Sequence, residues 1–371
     1  MKGLLRVAGS CFCPKEGIYM GSETELKFRV FEKEPGEIID AILKDSEVIS
    51  KETHKLTNEY YDTEDLQLMR SRSGFRVRST DGVYEETVKT SGRAGGGLAT
   101  RKEFNVPLSE GKPDLKLFPP EALPFAPESI GEVSESLKKL FSSNVERTSW
   151  LVRSASGTSE LSLDLGAVRS GNLTDEIREV EVELKEGSEK AIFETAEKII
   201  NSGKLTLRTE SRSKAQRGYI LAGLSSAPEY QDLDAGSFQS SLYETDILRN
   251  AYTRYLAVES LLDHDPQGSL KIYRAMWEAL ELVESAAGRL MLGEKLGVLP
   301  FIPSLSWVGR HRILEETFAV TGNDLCRVRM EEILEEGKNL VHSMRKDPKY
   351  LIWQLSMMRW MENPMAFVLR K

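Results

Sequence analysis

Glu23-Thr24-Glu25-Leu26-Lys27 alternates ionisable and uncharged residues at a period of two. A β-strand sends residues i, i+2 and i+4 to one face. The alternation returns at Arg76-Val77-Arg78, Thr87-Val88-Lys89, Arg101-Lys102-Glu103 and Glu179-Val180-Glu181-Val182-Glu183. Opposite these charged faces stand Leu26, Phe28, Phe75, Val77, Val88, Phe104, Val180, Val182 and Leu184. One such segment reads as a solvated surface strand, or as an edge strand guarded by charge. Five of them, holding both acids and bases, predict a sheet whose charged face is the working face.

Outward from Glu23, the pattern predicts strands near 48–62, 75–80, 84–90, 98–107, 145–154, 159–165 and 176–185. Short helices are expected at Pro35–Asp45, Ser129–Phe141 and Ser213–Leu221, and an amphipathic one after Ser188. Gly92 to Gly97 reads as a flexible loop, and the proline-rich stretch Pro107 to Pro127 as irregular chain. The stretch 223–241 is rich in Ser, Gly, Asp and Pro and reads as a linker. Beyond it, Tyr243–Leu262, Ser269–Ala287, Leu314–Phe318, Asp324–Met344 and Pro348–Met361 carry apolar residues at spacings of three and four. That spacing predicts a helical bundle. A chain of 371 residues holds two such domains comfortably. The expected division is an extension over 1–20, a β domain over 21–222, the linker over 223–241 and a helical domain over 242–371. The fold class is therefore α+β, with an antiparallel barrel followed by an all-α bundle.

Composition narrows the setting. Hydrophobic content of 40% and charged content of 29% fit a soluble globular protein. No apolar run approaches the roughly 18 residues of a membrane span. Three cysteines, Cys11, Cys13 and Cys326, cannot build a disulfide framework, so a reducing cytoplasm is expected. The net charge of −8 disfavours nucleic acid as a partner. Acids and bases nearly balance after Leu242, so the acidity belongs to the first domain.

Charged faces on so many strands would repel one another in a flat sheet. Closing the sheet gathers them around one lumen. That lumen would set Glu23, Glu25, Glu103, Glu179, Glu181 and Glu183 against Lys27, Arg76, Arg78, Lys89, Arg101, Arg147, Lys185 and Lys214. A polyphosphate chain needs many cationic donors. Its accompanying Mg²⁺ or Mn²⁺ needs carboxylate oxygens. Together they permit metal-assisted phosphoryl transfer.

The first domain also resembles the CYTH superfamily, the triphosphate tunnel metalloenzymes. Glu23-x-Glu25-x-Lys27, Tyr60-Tyr61-Asp62-Thr63, Arg76-x-Arg78, Thr87-x-Lys89 and Arg101-x-Glu103 match its motifs in order. Arg147-x-x-Trp150, Asp164-x-Gly166, Glu179-x-Glu181-x-Glu183 and the closing Ser213-Lys214-x-x-Arg217-Gly218-Tyr219 complete the match. The resemblance implies an eight-stranded antiparallel tunnel. It implies metal ligands among Glu23, Glu25, Glu103, Asp164, Glu179, Glu181 and Glu183. It implies phosphate contacts from Lys27, Arg76, Arg78, Lys89, Arg101, Arg147, Lys185 and Lys214. Glu23, Glu25 and Lys27 are the catalytic candidates, with Lys27 as charge stabiliser or base.

A helical domain after a CYTH domain is similar to the CYTH–CHAD arrangement of bacterial inorganic triphosphatases. Only His342-Ser343-Met344-Arg345-Lys346 matches the CHAD pattern, so the helical part is read as a degenerate form. A structural or homodimerising role is favoured for it over polyphosphate binding. The expected activity is metal-dependent hydrolysis of inorganic triphosphate. The alternatives are an adenylyl cyclase of class IV acting on a nucleoside triphosphate, a thiamine or other organic triphosphatase using Trp150 as an aromatic platform, and a polyphosphate-binding module without turnover. His54, His264 and His311 read as surface or satisfied side chains. Trp277, Trp307, Trp353 and Trp360 read as bundle core.

Overall fold

The five period-two segments lie on five of eight barrel strands in a computed structural model, which describes residues 11–12, 19–95, 97–226, 244–262, 270–292 and 305–362. The strands are β1 Tyr19–Val30, β2 Glu47–Asp62, β3 Gly74–Thr80, β4 Val83–Lys89, β5 Leu98–Leu108, β6 Lys138–Ser154, β7 Gly157–Ser170 and β8 Leu173–Gly187. The sheet runs β1-β8-β7-β6-β2-β3-β4-β5, antiparallel throughout. It then closes on itself, because β5 pairs back onto β1 with Glu23 opposite Arg101. Closure leaves no edge among these eight strands and gives every inward residue a lumen to face.

Five helices accompany the barrel: α1 Pro35–Leu43, α2 Gln67–Arg70, α3 Ile130–Ser136, α4 Lys190–Asn201 and α5 Lys214–Leu221. Outward apolar residues of β3, β4 and β5, namely Phe75, Val88, Phe104 and Val106, pack with Leu68, Leu115 and Phe118. On the other side α4 buries Ile192, Phe193, Ala196 and Ile199 against β6, β7 and β8. The proline-rich stretch contributes three short 3₁₀ turns to the covering layer.

The expected helix Ser129–Phe141 ends at Ser136, and β6 begins at Lys138. Pairing of Tyr60 and Tyr61 with Phe141 and Lys139 across β2 and β6 overrides the local helical signal. The loop expected at Gly92–Gly97 contains a short strand, Arg93–Gly95, paired with β5. The four-residue α2 is too brief to leave a periodic signal. Buried Asp62 fixes it by accepting the backbone N–H groups of Leu68 and Met69 at 2.9 and 3.0 Å. Asp62 also accepts Tyr219 Oη at 2.8 Å, which ties the Tyr-Tyr-Asp-Thr segment to α5.

The lumen is not charged along its whole length. Leu56, Tyr60, Phe141, Val145, Val168 and Ile177 share the inner face with the charged residues, and Tyr219 of α5 packs among them. Tyr60 stacks on Phe141 with centroids 4.8 Å apart, and Phe141 meets Tyr219 edge-on at 5.1 Å. The result is an apolar floor on which the polar site stands. Gly218 permits it, since a Cβ there would lie 2.0 Å from the Phe141 ring. α5 starts with a capping box, Ser213 Oγ accepting Gln216 N–H while Gln216 Oε1 accepts Ser213 N–H.

The described residues fall into two units, one within 1–205 and 209–226, the other within 206–208 and 227–371. Most of the expected extension and most of the expected linker lie outside the described residues, as does His264. The second unit holds α6 Glu244–Leu261, α7 Leu270–Arg289, α8 Trp307–Thr321, α9 Asp324–Met344 and α10 Pro348–Glu362. Trp307, Trp353 and Trp360 are buried, while Trp277 is half-buried. Tyr252 and Tyr255 meet Trp353 edge-on at 5.7 and 5.6 Å. Arg345 is buried, and its Nε donates to Glu259 Oε1 at 2.7 Å. That pairing places the arginine of the His-x-x-Arg segment inside the bundle. No helix among the described residues is long and apolar enough to cross a membrane.

Candidate active site

Strand register brings the period-two residues together. Glu25 on β1 lies opposite Glu183 on β8, Lys27 opposite Glu181, and Glu179 on β8 opposite Asp164 on β7. Gly74 of β3 lies opposite Lys89, and Lys89 in turn opposite Glu103 on β5. Lys89 Nζ reaches Glu23 Oε2 at 2.5 Å and Glu103 Oε2 at 3.2 Å. Lys185 Nζ reaches Glu183 Oε1 at 2.9 Å and Glu160 Oε1 at 3.6 Å.

The acids then divide by how well they are neutralised. Asp164, Glu179 and Glu181 bring carboxylate oxygens within 4.8 Å of one another. Lys214 Nζ of α5 stands among them, 2.8 Å from Asp164, 2.7 Å from Glu179 and 2.8 Å from Glu181. Arg147 adds bonds to Asp164 at 2.6 Å and to Glu181 at 2.5 Å, and Arg217 bonds Glu179 at 2.8 Å. Burial alone would raise the Asp164 carboxyl, but Arg147 and Lys214 outweigh it and hold it low. For Glu181 the same contest is won by Lys214, Lys27 and Arg147, which hold it well below the usual carboxylate range. An ammonium thus stands where a free cation would sit in this trio.

Glu23 is the opposite case. Burial pushes it up to about 8, with Lys89 opposing and Glu25, Glu103 and Glu183 adding repulsion. Burial also raises Glu183, despite Lys185. Glu103 differs because Lys89, Arg76 and Arg78 together overcome its burial and hold it at about 2. On the wall holding Glu23, Glu25 and Glu183, burial thus outweighs the lysines present, and a further cation there would favour the ionised forms of Glu23 and Glu183. A hard divalent cation with a preference for carboxylate oxygen fits that donor set.

The excess positive charge lies on β3. Arg76 Nε is buried with no hydrogen-bond partner among the described residues, and Arg76 Nη2 stays 3.6 Å from Glu103. Burial lowers Arg78 to about 10, with Arg76 and Arg147 adding repulsion. Its Nη1 is 3.9 Å from Glu85. Arg101 lies opposite Glu23 and lines a small cavity with Glu25, Lys27, Gly97 and Glu210. Lys27 is wedged between Glu25 at 3.6 Å and Glu181 at 3.4 Å. Burial would lower its ammonium, but Glu25 and Glu181 prevail and raise it, so it stays charged.

Several site residues escaped the sequence reading. Asn58, Ser143 and Glu160 face the lumen but belong to no charged alternation, and Arg217 was noticed only as part of a motif. Trp150 is not at the lumen. It is buried on the outer face beside α1, where its Nε1 donates to Asp40 Oδ1 at 2.9 Å and Lys51 lies over its ring. The parity of β6 requires this, since Ser149 and Arg147 occupy the inward positions. His54 is half-buried, with Asp81 Oδ2 at 2.7 Å and Glu52 Oε2 at 3.2 Å.

A CYTH domain model matches residues 21–219. An inorganic triphosphatase of Haemophilus influenzae is 34% identical over 171 residues, covering 45% of this chain and 46% of that one. The chain thus spans about half the length of the curated relative it matches. Among solved structures, a Hippeastrum protein proposed as an adenylyl cyclase and reported with a dominant triphosphatase activity aligns at 15% identity and a TM-score of 0.39, over 56% of this chain and 98% of that one. A Pyrococcus horikoshii protein aligns at 18% identity and a TM-score of 0.33, over 53% of this chain and 97% of that one.

Proposed function

The chain belongs to the CYTH domain family, and on that premise we propose that its barrel hydrolyses inorganic triphosphate to diphosphate and phosphate with a divalent cation. The observation that carries this reading is the split of unbalanced charge between two walls of one buried lumen. Glu23 and Glu183 are raised by burial on the wall formed by β1 and β8. Arg78 is lowered by burial beside Arg76 on β3. A bare cation site or a bare anion site needs only one of these walls. A metal–triphosphate complex satisfies both.

Glu23, Glu25 and Glu183 would hold Mg²⁺ or Mn²⁺. The bound cation supplies charge neutralisation to the phosphate oxygens and to the leaving group. Arg76, Arg78 and Arg101 bind and orient the phosphates, Arg76 through an Nε that has no protein partner. Lys27 and Lys89 keep their protons, because acids on either side raise both. We assign Lys27 to stabilising charge that develops at a bridging oxygen. Low exposure of these groups strengthens each interaction with an anion. Asp164, Glu179 and Lys214 act as a braced frame that holds Glu181 and Arg147 in place.

The test is phosphate release from tripolyphosphate with Mg²⁺ and with Mn²⁺, beside ATP with cyclic AMP detection. Turnover of tripolyphosphate is expected, lost on chelation and reduced about 100-fold or more in Glu23→Gln or Glu183→Gln. Cyclic AMP from ATP without tripolyphosphate turnover would move the assignment to a cyclase. Tight binding of tripolyphosphate without turnover would make the barrel a binding module.

A further inference from the structure

Asn58 is 1% exposed and lies on β2 directly across from Arg78 on β3. Its Oδ1 accepts Arg78 Nε at 2.8 Å. Its Nδ2 donates to Ser143 Oγ at 3.1 Å, and Ser143 is fully buried opposite it on β6. The three side chains form a line across three strands inside the lumen. Both ends of the amide are used, so its orientation is set by the two partners.

This line has an electrostatic consequence. A buried guanidinium is ordinarily held by a carboxylate, which fixes its plane and cancels its charge. Here the fixing partner is neutral. Glu85, the carboxylate paired with Arg78 among the described residues, stays 3.9 Å from Nη1. Arg78 is therefore anchored through Nε while its charge and its two Nη groups remain for another anion.

We propose that Asn58 is a positioning residue, braced by Ser143, that aims the Arg78 guanidinium at a substrate phosphate without neutralising it. The inference rests on the triphosphatase reading and deepens it. It assigns the amide a role that no charge pattern in the sequence reports. A carboxylate at this place would hold Arg78 equally well and would compete with the substrate. An alkyl group would leave Nε without a partner and the guanidinium free to turn.

The experiment compares wild type, Asn58→Asp, Arg78→Ala and the double variant Asn58→Asp/Arg78→Ala. Affinity for inorganic triphosphate is measured by calorimetry in a chelator, then KM and kcat with metal. Asn58→Asp is nearly isosteric, so the thermal midpoint should hold. Its affinity should fall about tenfold or more, with KM rising much further than kcat falls. In the Arg78→Ala background the same substitution should cost clearly less than it does in wild type, because only the direct repulsion of the added carboxylate is left and coupled residues are not additive. Ser143→Ala, which loosens Asn58 without touching Arg78, should show a smaller loss of the same kind and serves if Asn58→Asp fails to fold. Losses that multiply in the double variant, or a wild-type affinity in Asn58→Asp, would overturn the inference alone. A wild-type chain that neither binds nor cleaves inorganic triphosphate would remove the triphosphatase reading and this inference together.

Discussion

Glu86 illustrates how much one side chain depends on the face it occupies. It sits on β4 between Glu85 and Thr87, yet it turns outward into the covering layer and is fully buried. Its Oε2 accepts the Asp114 N–H at 2.9 Å, and its Oε1 has no partner. Burial raises its pKa from 4.5 to about 8, with Asp114 adding repulsion and its N–H opposing. The folded state thus favours the protonated form. The contribution of Glu86 to stability is fully present below pH 4.5 and is lost as the pH rises through about 8. Glu86→Gln should match wild type near pH 5 and exceed it at pH 8 by on the order of a few kcal/mol in urea unfolding. An unchanged pH slope in the variant would refute this account. The sequence made Glu23, Glu25 and Lys27 legible because a period of two is a strong signal. It did not reveal which acids are neutralised. That depends on Lys214 and Arg217, which arrive from a helix about thirty residues beyond Glu181. Asn58 stayed hidden for a related reason: a neutral amide in a strand carries no pattern of its own.

At the scale of elements, α5 decides the character of the lumen. It delivers Lys214 to three acids and Tyr219 to the apolar floor. Its approach depends on Gly218, where a Cβ would lie 2.0 Å from a Phe141 ring carbon. Gly218→Ala should therefore displace the helix and cost about 1–3 kcal/mol, read as a lower thermal midpoint. Turnover should fall with it, since Lys214 would leave its place. Gly218→Ala with Phe141→Leu should recover part of both losses. Five of the eight strands were legible from charged alternation and the other three from their apolar and turn pattern, with ends displaced by up to seven residues, the start of β6 being the widest miss. The helix boundary at Ser136 was not, because β6 is fixed by partners on β2 and β7 and not by its own first residues. The floor was not legible either, since only register assigns Leu56, Val145 and Val168 to the inner face.

At the scale of the whole chain, the two units rest on different physics. The barrel holds many buried charges in mutual contact. The helical unit holds aromatic packing around a buried ion pair between Glu259 and Arg345, to which Gln354 Nε2 adds a bond at 3.2 Å to Glu259 Oε2. Removing one partner leaves an uncompensated charge. Arg345→Met should destabilise the helical unit by about 3–5 kcal/mol, while Glu259→Leu/Arg345→Met should recover much of that loss. Separate unfolding transitions in calorimetry would show which unit responds. The helical character of this part was legible from its three-and-four spacing, whereas the burial of Arg345 required the partner helix. The packed floor of the barrel has a last consequence, for traffic. A chamber with its base filled by Tyr60, Phe141 and Tyr219 has one door at most on that axis. A linear guest cannot be threaded through past them; it enters by one end, and any length that does not fit stays outside. Whatever fragment forms innermost waits behind the one nearer the door, so departure follows a queue.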